Sequence, residues 1–280
     1  MNDRYVTEKL LEDFSSQLRA AGCAQGTAEN YLRHVRAFAR WLEGGEATGE
    51  AAAGWRCWLL EQGYGPPSVN GMLVALNRFF KFAGWDCRAE LLRIQRRAFR
   101  DRGRELTRGE YERLVKAARG HGRGRLALVM ETICATGIRV SELRYVTVEA
   151  ARRGQAEIAL KGKIRTILIP ARLRRKLLDY ARKNKTASGE IFLTRSGRSL
   201  GRKQIWAEMK AACRSAHVAP GKVFPHNLRH LFARVFYREC PDIVKLADVL
   251  GHSSIDTARI YLVASGEEHA RVLDRLRLVT

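Results

Sequence analysis

One stretch of the chain, AEIALKGKIRTILIP (Ala156–Pro170), alternates apolar and polar side chains on both sides of Gly162. Period-two alternation broken by a single glycine is the mark of a β-hairpin, here with a tight turn near Lys161–Lys163. Elsewhere the apolar residues mostly recur at spacings of three and four, the helical period. A chain with that balance has no material for a large sheet, and is restricted to helices packed on helices with a small β-sheet among them. EIFLT (Glu190–Thr194) is a candidate further strand.

The helical segments fall into two groups. EKLLEDFSSQLRAAG (Glu8–Gly22), TAENYLRHVRAFARWLEGG (Thr27–Gly45), AAAGWRCWLLEQG (Ala51–Gly63) and SVNGMLVALNRFFKFAGW (Ser68–Trp85) each carry the helical period and a punctuating glycine. Thr27, Asn30 and Ser68 stand where N-caps are expected, and Gly44–Gly45 and GYGPP (Gly63–Pro67) break the run. Four short helices of this kind make a compact bundle over residues 1–95. RIQRRAFRDRGREL (Arg93–Leu106) then loses the apolar period and turns arginine-rich, which reads as a basic linker over residues 96–106. Beyond it, LTRGEYERLVKAARG (Leu106–Gly120) reads as a helix opened by Thr107, with Glu110 completing a capping box, and GRLALVMETICATG (Gly124–Gly137) as another. After the hairpin the helical period returns from about Arg202 to Leu278. Residues 107–280 are therefore expected to form a mixed α+β domain, mainly α with a small β-sheet.

Charge separates the same two parts. Of 51 Lys and Arg and 29 Asp and Glu, residues 1–95 hold 11 of each sign, so the whole net charge of +22 lies in residues 96–280. A generally basic, solubilising surface would spread it evenly. Concentrated in one part, it calls for a polyanionic partner rather than a small acidic substrate. No apolar run approaches the roughly 20 residues of a spanning helix, and MNDRYVTEKLLEDF has no apolar core of a signal peptide, so a cytoplasmic location away from the membrane is expected. The six cysteines contain no C-x-x-C pair; they read as small buried apolar residues rather than a zinc site or a disulfide framework.

Four short pieces carry residues that packing does not ask for. In ATGIRVSEL a helix ends at Gly137 and Arg139 follows among apolar neighbours, with Ser141 and Glu142 opening the next helix. In PHNLRH, His226 and Arg229 are three apart and share a helix face, with His230 one step round. In LGHSS, Gly251 breaks a helix and leaves His252 at a turn before a helix capped by Ser253 or Ser254. Tyr261 follows His252 by nine residues. Taken singly, each has a structural explanation: an ion pair of Arg139 with Glu142, or a tyrosine in an amphipathic core.

Taken together and in this order, the Arg139 segment, the hairpin lysine, His226 with Arg229, L-G-H and Tyr261 resemble the tyrosine recombinases, the family of phage integrases and Xer-type site-specific recombinases. The resemblance covers nearly the whole chain, and TAENYLRHVRAFARWL looks like the family's core-binding helices. It implies an N-terminal helical core-binding (SAM-like) bundle plus a mixed α+β tyrosine-recombinase catalytic domain, with Arg139, Lys161, His226, Arg229, His252 and Tyr261 as catalytic groups. It also implies double-stranded DNA as substrate, four protomers on paired sites, possible accessory DNA-bending or directionality proteins, no metal and no cofactor, in a cytoplasmic, nucleoid-associated setting.

The chemistry of these residue types agrees. A side chain that cuts DNA without water must attack phosphorus and expel a ribose oxygen through a pentavalent, doubly charged state. Two guanidiniums, Arg139 and Arg229, suit that charge and keep their own at any working pH. A tyrosine hydroxyl, with a pKa near 10, needs a proton acceptor at the moment of attack, and His226 titrates nearest neutrality. His252 would hydrogen-bond the same phosphate. The leaving 5′ oxygen needs a proton from a hairpin lysine: the resemblance implies Lys161, and Lys163 is the neighbouring alternative. The tail SGEEHARVLDRLRLVT reads as an amphipathic segment that docks on its own domain or on a neighbouring subunit.

Two other functions use the same features. A type IB topoisomerase has similar chemistry but relaxes single duplexes; a catalytically silent DNA-binding regulator would keep the fold and have no use for Tyr261. The charge split itself is testable. A fragment spanning residues 107–280 is expected to bind duplex DNA with an affinity that falls about a thousandfold or more between 50 and 200 mM salt, while residues 1–95 bind weakly. Tight, salt-insensitive binding by the N-terminal fragment would contradict this.

Overall fold

The computed structural model describes residues 4–94, 102–160, 163–251, 254–259, 261 and 274–276. The chain divides into two compact units, Met1–Arg96 and Arg97–Thr280. Among the described residues no helix is long and apolar enough to cross a membrane.

In the first unit four helices form: α1 (Glu8–Ala20), α2 (Gln25–Leu42), α3 (Gly49–Glu61) and α4 (Pro66–Ala83). Their apolar stripes meet in an aromatic core of Phe14, Phe38, Trp55, Phe79 and Phe80, all essentially inaccessible. Phe14 meets Phe79 edge-on at 5.3 Å and Phe38 meets Trp55 at 5.2 Å, geometries that suit the ring quadrupoles. The expected caps are displaced. Helix α2 begins two residues before Thr27, from Ala24, with the Gln25 side chain bonded to Glu29 at 2.9 Å. Helix α4 begins at Pro66 rather than Ser68, because a proline at the first helical position has its φ preset and lacks only an N–H that would have no helical acceptor. Two asparagines of α4 then hold the segment that follows. Asn77 bonds both the N–H and the C=O of Ala89, at 2.7 and 2.9 Å, and Asn70 does the same for Leu92, at 2.8 and 2.9 Å.

The second unit contains α5 (Arg108–Gly120), α6 (Gly124–Thr136), α7 (Val148–Arg153), strands β1 (Gln155–Leu160) and β2 (Lys163–Leu168), α8 (Ala171–Lys183), α9 (Arg202–Ala216), α10 (Pro225–Glu239), α11 (Ile243–Leu250) and α12 (Ile255–Arg259). The capping box at Thr107 is present: Thr107 Oγ1 accepts from Glu110 N at 3.2 Å and Glu110 Oε2 from Thr107 N at 2.8 Å. Helix α6 is buried on nearly every side at the centre of this unit. Glu105 and Leu106, at the end of the arginine-rich stretch, already belong to the second unit: Leu106 lies in its core and its carbonyl accepts from Arg234 at 2.6 Å.

The hairpin forms as the alternation requires, β1 and β2 pairing antiparallel from Gln155↔Leu168 to Leu160↔Lys163. Its inner face puts Ala156, Ile158, Ile167 and Ile169 into the core, while Ile164 and Leu168 are 78% and 74% exposed. EIFLT is not a strand. It makes only isolated bridges, Thr147↔Glu190 and Leu193↔Ser199. Ile191 and Phe192 are both buried in the core, but among the described residues no partner strand runs beside them to continue the bridges into a ladder.

Candidate active site

Helix α6 ends where the first motif begins. Gly137 is its C-cap, at φ +65°, with its N–H on the Ile133 carbonyl at 2.9 Å. Besides the left-handed backbone, space demands glycine there: an added Cβ would lie 2.4 Å from Phe232 Cδ1 of α10. Two residues later Arg139 starts a six-residue 3₁₀ stretch, Val140–Tyr145, rather than an α-helix. Glu142 is bonded back to it on both sides: Oε2 accepts from the Arg139 backbone N–H at 2.7 Å and Oε1 from its guanidinium at 3.0 Å. The ion pair that a purely structural explanation of Arg139 requires is therefore present. It leaves the Arg139 side chain 43% exposed while Glu142 is 1% exposed.

That carboxylate serves a second cation. Arg165 of β2 donates from Nη2 to Glu142 Oε2 at 2.6 Å. Burial draws the Arg165 guanidinium below its ordinary pKa, Glu142 opposes this, and Arg139 adds to it. Two arginines thus share one buried acid.

Helix α10 opens with Pro225 at its first position, as PHNLRH suggests. His226 is exposed, His230 half-buried and Arg229 1% exposed. A guanidinium that deep must be satisfied by fixed acceptors. Arg229 donates from Nη1 to the Gly137 carbonyl, from Nη2 to the Leu250 carbonyl at 2.8 Å, and from Nε to the Tyr261 hydroxyl at 3.3 Å. The first two acceptors are at the C-terminal ends of α6 and α11, where orphan carbonyls and the helix dipole favour a cation. Burial lowers the Arg229 pKa, the Tyr261 contact raises it, and Arg139 and Arg165 lower it further, so all three arginines lie near enough to feel one another's charge.

Tyr261, 5% exposed, packs with Ala233, Leu246 and Leu250 between α10 and α11. Its ring centroid lies 4.4 Å from that of His230 and 6.0 Å from that of His226, and the two imidazoles meet edge-on at 4.4 Å. The structure therefore brings together Arg139, His226, Arg229 and Tyr261 and adds Glu142, Arg165 and His230. The i, i+4 spacing of His226 and His230 was the available signal for the last. Nothing local to the KIRTIL strand distinguishes Arg165 from a solvated cation. Gly251 ends α11 at φ +62° as expected. Lys161 and His252 lie outside the described residues, as does the Lys163 side chain and all of the C-terminal tail except residues 274–276.

Comparison with known proteins covers both units. The Phage integrase family matches residues 104–268, and the phage integrase N-terminal SAM-like domain matches residues 11–86. The chain is 28% identical to the tyrosine recombinase XerA of Pyrococcus furiosus, across 100% of this chain and 98% of the relative. It is 30% identical to the tyrosine recombinase XerD of Brucella suis, across 90% and 91%. Its fold is similar to that of lambda integrase, solved as a tetramer bound to a Holliday junction, with a TM-score of 0.74 at 21% identity over 92% of this chain and 78% of that one.

The shared acid is the point at which this arrangement is open to test. Replacing Glu142 by alanine leaves Arg139 and Arg165 facing each other without their common counter-ion. Denaturant unfolding of the second unit should move to lower concentration by an amount equivalent to about 2–4 kcal/mol, the half-exposed Arg139 keeping the loss below that of a fully buried pair. An unchanged midpoint would mean that water already screens both cations.

Proposed function

The chain belongs to the phage integrase family, and from that premise we propose how this site-specific DNA recombinase divides its chemistry among its residues. Tyr261 Oη attacks the phosphorus of one DNA phosphodiester. The P–O5′ bond breaks as the O–P bond to tyrosine forms, leaving a 3′-phosphotyrosine and a free 5′ hydroxyl. The tyrosine proton passes to His226, and the 5′ oxygen takes one from a hairpin lysine, Lys161 with Lys163 as the alternative. Rejoining is the same exchange in reverse, with a 5′ hydroxyl of the partner strand as nucleophile. The phosphotyrosine conserves the energy of the broken bond.

The observation that carries this reading is the 3.3 Å hydrogen bond between Arg229 Nε and the Tyr261 hydroxyl. Among the described residues of the cluster, it joins a hydroxyl able to form a stable phosphoryl ester to one of the two guanidiniums that would hold the phosphate. Arg139, half-exposed and tethered by Glu142, is the second clamp on the non-bridging oxygens. His252 completes the hydrogen bonds to the same phosphate. On this reading residues 1–95 are a core-binding DNA clamp, 96–106 a basic linker whose last two residues, Glu105 and Leu106, are packed into the second unit, and 107–280 the catalytic domain, acting on DNA in the cytoplasm at the nucleoid. The lambda integrase tetramer on a Holliday junction supports assembly of four protomers on two paired sites, with accessory DNA-bending or directionality proteins acting on the surrounding DNA.

A nicked suicide substrate on a denaturing gel reads the covalent step directly. Tyr261→Phe should form no protein–DNA adduct while retarding the same DNA as the native chain; residual adduct would remove Tyr261 as nucleophile, and absence of adduct from the native chain would leave a DNA-binding regulator. Arg139→Ala should slow cleavage by about a hundredfold to a thousandfold with little effect on folding. Arg229→Ala should lose both rate and stability, because the Gly137 and Leu250 carbonyls lose their donor as well.

The proton donor is tested by the leaving group. Replacing the bridging 5′ oxygen by sulfur supplies a leaving group that scarcely needs a proton. Lys161→Ala should therefore fail on ordinary DNA and recover on the sulfur strand, whereas Tyr261→Phe stays inactive on both. Recovery of Lys163→Ala instead would move the acid two residues along, and recovery of neither would take the hairpin out of proton transfer.

A further inference from the structure

Arg165 sits where three segments of the site converge. Its Nη2 donates to Glu142 Oε2 at 2.6 Å, and its Nη1 to the Val249 carbonyl at 3.3 Å. Its side chain also fills the space in front of Gly251: a Cβ added to that glycine would lie 2.2 Å from Arg165 Cδ. Glu142 is the residue that ties down Arg139. Val249 and Gly251 flank Leu250, whose carbonyl takes Arg229, so consecutive carbonyls at the end of α11 are held by two arginines from different elements. Gly251 in turn leads directly to His252.

Near its turn the hairpin is held on β1 by the Tyr145 hydroxyl, which donates to the Ala159 carbonyl, and on β2, among the described side chains, by Arg165. The sheet has two strands, its outer face is exposed at Ile164 and Leu168, and the inward apolar residues of β2 and its extension are Ile167 and Ile169, at the end away from the turn. Among the β2 side chains described, Arg165 is the inward-facing one nearest the turn, opposite Ile158 of β1. A hydrophobic residue there would bury area without direction. A guanidinium with donors on a carboxylate and a carbonyl fixes both position and rotation.

We propose that Arg165 is a positioning residue that locks the turn of the β-hairpin to the Arg139–Glu142 segment and to the end of α11, so that the hairpin lysine meets the leaving oxygen in register with the two phosphate clamps. This rests on the hairpin lysine being the proton donor, as read above. Arg229 has acceptors of its own in the Gly137 and Leu250 carbonyls, so its hold on the nucleophile runs through Arg165 only indirectly, by way of the end of α11. Loss of Arg165 therefore affects the departure of the 5′ oxygen more than the attack of the tyrosine.

The test uses the full chain with Arg165→Met and Arg165→Lys, on ordinary and 5′-sulfur suicide substrates, together with amide hydrogen exchange across residues 158–168. Arg165→Met should slow cleavage of ordinary DNA by about tenfold to a hundredfold, the scale of a small misplacement of a catalytic group. Most of that loss should return on the sulfur strand, with DNA affinity within about twofold of native and faster exchange at the hairpin turn. Arg165→Lys, which keeps a cation for Glu142 but lacks the guanidinium fork, should fall between the two. Combined with the inactivating lysine substitution, Arg165→Met should add no further defect on ordinary DNA. An equal defect on both substrates, or full additivity with the lysine substitution, would overturn the proposal, as would unchanged exchange at the turn. If neither hairpin lysine substitution is rescued by sulfur, the proton-donor assignment fails on its own. Exchange at the turn then decides whether Arg165 positions the hairpin; if Arg165→Met does not fold, Arg165→Lys carries both readouts.

Discussion

A buried guanidinium organises the catalytic unit. Arg229 is inaccessible to water, and a charge in that position is tolerated only if the surrounding structure supplies fixed partners. Those partners are the ends of two helices and a phenol: the Gly137 carbonyl closing α6, the Leu250 carbonyl closing α11, and the Tyr261 hydroxyl. Much of the local architecture follows from that requirement. Helix α6 must stop at a glycine so that its last carbonyl turns toward α10, and Gly137 has neither the backbone angle nor the space for any other residue. Helix α11 must stop at Gly251 for the same purpose. The tyrosine is drawn onto the same cation, and its ring fills the apolar gap between α10 and α11.

The second constraint is the arithmetic of charge around one acid. Arg139, Arg165 and Arg229 lie within electrostatic reach of one another, and the Glu142 carboxylate bonds two of them. The cluster retains a positive excess, which a DNA phosphate is suited to neutralise. Its exposed member is Arg139, whereas Arg165 is turned inward onto Glu142 and the Val249 carbonyl, and Arg229 onto the Gly137 and Leu250 carbonyls. On the proposed function, the cations that build the fold would also prepare the field in which a doubly charged transition state is held.

Much of this can be read along the chain, because it depends on neighbours in sequence. Alternation around Gly162 specified the hairpin, the 3.6-residue period specified the helices, and Thr107 with Glu110 specified a cap that forms as expected. Local rules also failed locally. Thr27 and Ser68 are good N-cap residues, but the helices start earlier, at Gln25 and at Pro66, where a side-chain bond and a preset φ compete successfully. EIFLT has strand composition, yet among the described residues it finds no partner strand and makes only isolated bridges, because strand pairing is a long-range property. The Arg139–Glu142 pair was visible as a spacing, although the short 3₁₀ stretch that carries it was not.

The order of motifs along the chain, from Arg139 through PHNLRH to Tyr261, marked the candidate reacting groups, since side-chain chemistry is a property of residue type and survives without coordinates. Their relations are a different matter. Arg229 is separated from its acceptors by 92, 21 and 32 positions, and Arg165 from its own by 23 and 84. Neither periodicity nor propensity contains such pairings, because they arise only when apolar burial packs α6, α10, α11 and the hairpin together. Desolvation then turns ordinary surface-type cations into fixed donors with assigned acceptors. That step, made by the packed unit as a whole, gives Arg165 its place between Glu142 and the end of α11 and puts His230 closer to Tyr261 than His226 is.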